Sequence, residues 1–155
     1  MPAMPAPELS HLCDLAIELS PPLELGDAPR GRRRIIPITG GRVSGERLSG
    51  RILPGGSDWQ VVYADGLAFL EARYPMETDD GALIDVVNVG YRHGPPEVIA
   101  ALARGEVVDP ASYYMRTQPR FETGDPRYLW LNRIVAVGTG RRDPSAVHLS
   151  FYEVL

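Results

Sequence analysis

The stretch FLEARYPMETDDGALIDVVNVGYRHG, Phe69 to Gly94, decides how the rest of the chain is read. Two runs rich in β-branched and aromatic residues flank the turn signal Asp79-Asp80-Gly81, and apolar residues alternate with polar ones on both sides. The pattern predicts a hairpin. If Asp80-Gly81 is a two-residue turn, Arg73 stands opposite Asn88, Glu71 opposite Gly90 and Phe69 opposite Arg92. Those residues then share one face, and Leu70, Ala72, Tyr74, Val87, Val89 and Tyr91 share the other.

Two readings of these faces stay open. In one, the apolar face packs the core and the polar face meets water. In the other, the faces are reversed, and Glu71, Arg73, Asn88 and Arg92 line the cavity of a barrel wide enough to hold a small ligand. The outer apolar face would then be covered by a helix or in a homodimer. Asp80 is required sterically by the turn; at the rim of a cavity it would be a candidate catalytic carboxylate.

The same two-residue period recurs outward from the hairpin. CDLAIELS, RIIPITGGRV, RLSGRILPGG and DWQVVYADG precede it, and SYYMRTQPRFET, LWLNRIVAVGTG and AVHLSFYEVL follow. With the hairpin this makes about nine strands. One segment, PPEVIAALARGE, has helical spacing, with prolines in its first turn and Gly105 to end it. The expected fold is all-β: a mostly antiparallel β-barrel with one short helix from roughly Pro95 to Arg104, closure being the simplest way to remove exposed edges. Residues 1–11 read as a flexible tail and 12–155 as the single domain. GDPRYLW is expected to form a short turn opened by Asp125-Pro126.

Composition bounds the function. The chain has 155 residues, 44% hydrophobic and 23% charged, enough for one domain with a core. Its net charge of -4 argues against nucleic acid as a partner. The run RGRRR, Arg30 to Arg34, reads as a solvated loop leading into a strand. All 16 basic residues are arginine, which excludes Schiff-base chemistry on lysine. The lone Cys13 alternates with apolar residues and reads as a buried, inert thiol. His11, His93 and His148 lack metal-ligand spacing, no phosphate-binding glycine loop stands at a strand-to-helix junction, and no serine lies in a nucleophile elbow. No cofactor is expected. No apolar run is long enough to span a membrane and the first residues do not resemble a signal peptide, so a cytoplasmic location is expected.

Two further stretches carry candidate chemistry. In LPGGSDWQ, Asp58 and Trp59 point to opposite faces; Asp58 caps a turn or offers a carboxylate, and Trp59 is a buried aromatic or a platform. In YYMRTQPRFETGDPRYLWLN, Arg116 has the planar fork that clamps a carboxylate. Tyr128 can donate a proton, and Trp130 and Asn132, placed on one strand face, can supply a wall and orient an oxygen.

Together, PITGGRVSGERLSGRILPGGSDWQ, LEARYPMETDDGALIDVVNVGYR, YYMRTQPRFETGDPRYLWLN and VHLSFYEVL resemble the domain of unknown function 3237 family, also called uncharacterised protein family 0311. The likeness runs from Leu12 to Leu155, with the motifs in the same order. It implies a single β-barrel domain of bacteria and fungi. It also implies that Asp58, Glu71, Arg73, Asp80, Arg116 and Asn132 recur together, with Asp usual where this chain has Glu71. It names no substrate, cofactor or catalytic residue.

The reading is then a barrel that binds a small organic acid or carbonyl compound. Arg73 and Arg116 hold its anion, Glu71, Asp58 or Asp80 act as acid or base, and Asn88, Trp59, Tyr128, Trp130 and Asn132 complete the site. Isomerisation, cyclisation, elimination or lactone opening are the reactions such groups run without a metal. The other class is a non-catalytic ligand-binding or subunit-interaction protein.

Overall fold

A computed structural model describes residues 1–155. Ten strands form one sheet. The first five are β1 (Leu9–Leu19), β2 (Leu23–Ala28), β3 (Gly31–Ser44), β4 (Gly50–Ile52) and β5 (Gly56–Val62). The rest are β6 (Ala68–Thr78), β7 (Leu83–His93), β8 (Tyr114–Glu122), β9 (Val135–Arg142) and β10 (Ala146–Val154). All pairings are antiparallel, and β1 pairs both β10 and β3, which closes the barrel. The short β4 and the longer β5 share one place between β3 and β6, so eight strand positions surround the axis. The one helix, α1 (Pro96–Ala103), follows β7 with prolines at its start, as its sequence predicts.

The β6–β7 hairpin settles the faces. Thr78 donates its amide to the carbonyl of Ala82 at 2.8 Å, and Gly81, at φ +92°, donates to the carbonyl of Thr78. Residues 79–81 therefore form a three-residue loop with glycine at the left-handed position, not a two-residue turn. That extra residue moves every cross-strand partner by one. Glu71 stands opposite Val89, Arg73 opposite Val87, and Ala72 opposite Asn88. Leu70, Ala72 and Tyr74 point inward with Asn88 and Arg92, while Glu71 and Arg73 point out. The expected grouping of Glu71 and Arg73 with Asn88 and Arg92 is thus corrected by the length of one loop.

Three further expectations change. The run RGRRR is not a loop: Gly31 to Arg34 open β3 and pair with β2, a strand that the sequence reading omits. Almost every residue of β2 is exposed, so it carries no core-facing alternation to detect. The strand expected through LWLNR is a 3-10 helical turn over Leu129–Arg133, so Trp130 and Asn132 share no strand face. Strand β1 begins at Leu9, inside the expected tail.

The core fills one end of the barrel. Leu12, Val43, Leu48, Met76, Ile84 and Phe151 are among its fully buried side chains. Cys13 lies there too, its thiol pushed up to about 12 by burial and by neighbouring Asp14, which keeps it unreactive. No helix is long and apolar enough to cross a membrane.

Candidate functional site

The other end of the barrel is lined differently. On its inner face, Ala72 lies between Asp58 of β5 and Asn88 of β7 as direct cross-strand partners. The small alanine leaves space above it that a larger side chain would fill. Gly90, next inward on β7, has no room for a side chain at all: a Cβ there would stand 2.2 Å from the Arg116 carbonyl and 2.7 Å from Thr117.

Asp58 is fixed by hydrogen bonds. The β5–β6 ladder breaks between Asp58–Ala72 and Val61–Phe69. In the gap, the Glu71 amide donates to Asp58 Oδ1 at 2.9 Å. Gln60 Nε2 donates to Asp58 Oδ2 at 3.3 Å, and Gln60 Oε1 accepts from Arg34 Nε and Nη2 at 3.0 and 2.7 Å. An Arg34–Gln60–Asp58 chain thus orients the carboxylate from behind.

Two more arginines complete the layer. Arg92 from β7 is buried, and Arg142 ends β9. Neither forms an ion pair, although Arg34 lies 3.9 Å from Glu24. Burial, then repulsion from Arg142 and Arg34, pulls Arg92 down to about 10, so it stays charged at neutral pH. Arg34 and Arg142 are lowered as well, chiefly by burial. Asp58 moves the other way. Burial raises it, and the Glu71 amide, Arg92, Gln60 and Arg142 offset that only in part. Asp58 is half-buried, and the protein atoms that surround most of it disfavour its charged form.

A chamber of about 50 Å³ lies at this layer, lined by Asp58, Gln60, Asn88, Arg92 and Arg142 with aliphatic walls. It shares Arg92 and Arg142 with a mouth cavity of about 340 Å³ under Ile99, Leu102 and Ala103 of α1. The arrangement is a desolvated carboxyl facing cationic groups that have no anion of their own. It can hold an oxyanion and exchange a proton beside it. No group of three or more His, Cys, Asp or Glu residues is spaced to hold a metal.

Of the sequence candidates, the structure brings Asp58, Asn88 and Arg92 together here and leaves the others elsewhere. Glu71 is exposed on the outer face of β6. Arg73 does not pair with it but donates to both oxygens of Asp85 on β7, in solvent. Trp59 points outward and is exposed, because its neighbour Asp58 points in. Arg116 is on the outside of β8, over the Tyr114 ring and bonded to the Met115 carbonyl. At the far end, the Tyr128 hydroxyl and Arg127 hold Asp80, Trp130 stacks under Arg47 at 4.7 Å, and Asn132 bonds both backbone groups of Thr123.

Sequence reading did not select Arg34, Gln60 or Arg142. Arg34 is hidden within a charge run. Gln60 and Arg142 each show only their parity along a strand, two residues from Asp58 and from Gly140.

Residues 7–154 match the family described as "Protein of unknown function (DUF3237)". UPF0311 protein RPA1785 of Rhodopseudomonas palustris is 44% identical over 151 residues, covering 97% of this chain and 99% of its own. A crystal structure of RPA1785 superposes with a TM-score of 0.92, covering 98% and 100% of the two chains. A β-barrel-like protein from Acinetobacter baumannii AYE is 46% identical, with a TM-score of 0.87 and 99% of each chain covered. At 21% identity, an enzyme from Penicillium herquei shares the fold, with a TM-score of 0.74 and both chains covered in full.

Proposed function

From the premise that the chain belongs to the DUF3237 family, described as of unknown function, we propose that it is a cofactor-independent acid/base enzyme acting on a small organic acid or carbonyl compound inside the barrel. One observation carries the reading: Asp58, raised by burial, shares a chamber with the unpaired guanidinium groups of Arg92 and Arg142.

The chemistry is redox-neutral. Asp58 takes a proton from the carbon beside a carbonyl; the C–H electron pair becomes a carbon–carbon double bond as the carbonyl π pair moves onto the oxygen. That oxygen faces Arg92 and Arg142, which stabilise its developing charge. The proton returns to a different atom, giving isomerisation, or a leaving group departs, giving elimination. The Arg34–Gln60 chain keeps the carboxylate aimed, and Asn88 across Ala72 orients the substrate oxygen by donating from Nδ2, which leaves its Oδ1 free. That a protein of this fold from Penicillium herquei is called an enzyme agrees with chemistry in such a barrel and says nothing of this chain's substrate.

A thermal-shift screen against small organic acids, ketones, lactones and phenols tests the reading, since a ligand of the native state raises Tm by mass action. Hits are then followed by NMR for exchange of carbon-bound hydrogen with deuterated water. The expected result is a hit whose binding is lost in Arg92→Gln, and whose exchange stops in Asp58→Asn while binding persists. Binding without exchange in the wild type would make this a ligand carrier. No shift with any compound would overturn the reading.

A further inference from the structure

Below the arginine layer, the chamber contains polar atoms that the proton-transfer reading leaves unused. Tyr74 Oη, Asn88 Oδ1 and Thr117 Oγ1 are buried and have no hydrogen-bond partner. The one other such side-chain atom is Arg33 Nε, so three of the four gather in a single cavity. They stand on adjacent strands β6, β7 and β8. Tyr74 is two residues from Ala72, the partner of Asn88, and Thr117 pairs with Gly90, two residues from Asn88. Such diagonal neighbours are about 7–8 Å apart, close enough for one ligand to meet more than one of them.

Buried polar groups left unpartnered destabilise a fold and call for an occupant. We infer that this floor is a hydroxyl-binding subsite, and that the ligand is a short acid or enolisable carbonyl compound with a hydroxyl a few bonds from its anionic oxygen. The inference rests on the arginine layer as the anion site.

The donor and acceptor types favour a hydroxyl. Tyr74 and Thr117 have hydroxyl groups to donate, and Asn88 Oδ1 accepts. A carboxylate could only accept and an ammonium only donate, whereas a hydroxyl does both. Burial holds the Tyr74 phenol far above its ordinary value, so it remains a donor. Ile36, Ile38, Leu70, Met115 and Leu149 wall the chamber with carbon and suit the skeleton between the two polar ends. A resident water would satisfy the same atoms and is the competing occupant.

Matched acids separate the two. Butanoate is compared with its beta-hydroxy and gamma-hydroxy derivatives, and benzoate with para-hydroxybenzoate, by titration calorimetry on the wild type, Tyr74→Phe and Thr117→Val. The hydroxylated member of at least one pair is expected to bind about tenfold more tightly, one well-made hydrogen bond. Either substitution should bring that ratio to near one and leave the parent acid's affinity unchanged. Without ligand, both variants should melt at or above the wild-type Tm, because an unpartnered group has been removed. Equal affinities within every pair, with a lower Tm in Tyr74→Phe, would identify a structural water and overturn the inference while leaving the anion site standing. Failure of every acid to bind would remove the anion site and this subsite with it.

Discussion

Asp58 and Asp80 lie toward opposite ends of the barrel, and the structure treats them in opposite ways. Asp58 lines the chamber with two hydrogen-bond donors and arginines that stop short of it, and burial raises its pKa. Asp80 sits in the open at the hairpin loop. There the hydroxyl of Thr78, then that of Tyr128 and the charge of Arg127, hold it below the ordinary carboxylate value. The contrast is one of water rather than of partner number. A group that must gain and lose protons near neutrality has its charged form disfavoured, whereas a carboxylate that ties chain segments together has it favoured. Asp80 joins the β6–β7 loop to the segment around Tyr128, where Arg127 also binds the Asp80 carbonyl and holds Asp125 down to about 2. It is a fastener, whereas in the proposed function Asp58 is the group that exchanges protons.

The arginine layer should give the largest effect. In Arg92→Gln combined with Arg142→Gln, affinity for any acid found by screening should fall about 100-fold or more, as expected on losing charge-assisted hydrogen bonds in a desolvated site. Tm should hold or rise, because two like charges that repel each other and form no direct ion pair leave a buried cavity. Calorimetric titration and a melt of the same sample check both. A steep fall in Tm would make the arginines structural and erase the distinction between the barrel's ends.

The two aspartates should also separate in the pH dependence of stability. Asp58 has a folded value above the unfolded one of about 3.9. Its protonated form therefore favours the fold: that contribution is complete below about pH 4 and is lost as pH rises through the folded value. Asp80 has a folded value below the unfolded one. Its contribution is present above about pH 4 and is lost as pH falls through the folded value. Relative to the wild type, Asp58→Asn should thus gain Tm as pH rises. Asp80→Asn should melt lower by about 2 °C near neutrality and lose that deficit in acid. Melts of the three proteins from about pH 3 to pH 8 measure this. Parallel curves for the two variants would mean that the aspartates do not differ in kind.

The sequence carried the fold further than the site. Alternation located the strands of the barrel, and prolines with helical spacing located α1, because burial of one face leaves its period in the sequence. The site depended on which polar positions face inward. That turned on whether Asp79-Asp80-Gly81 closes as two residues or three, a choice both of which the same residues permit. Asn88 and Arg92 were found together, but Tyr74, which points inward beside them, was grouped with the outward Val87, Val89 and Tyr91. Arg34 and Gln60 become a unit only when β3 and β5 pair, a contact between positions 26 residues apart. Arg142 meets the layer from a strand that is not adjacent to β7. Such convergence is a property of barrel closure, and no local pattern records it.

The smallest effect should come from the residues that first drew attention. Arg73 and Asp85 pair across the outer face of β6 and β7, where water screens the charges and the two side chains give up freedom to meet. In Arg73→Ala, the affinity of a chamber ligand should stay within about twofold of the wild type and Tm within about 1 °C, as for other exposed pairs. Glu71→Gln should be equally quiet. The contact of Glu71 with the chamber runs through its backbone amide, which donates to Asp58 whatever the side chain. Glu71→Pro differs in kind: it removes that amide hydrogen, frees one oxygen of Asp58 and interrupts β6. Titration of a screened acid against Arg73→Ala and Glu71→Gln decides the matter. A large loss of affinity in either would move the binding site to the outer face and reverse the assignment of inside and outside on which the comparison of the two aspartates rests.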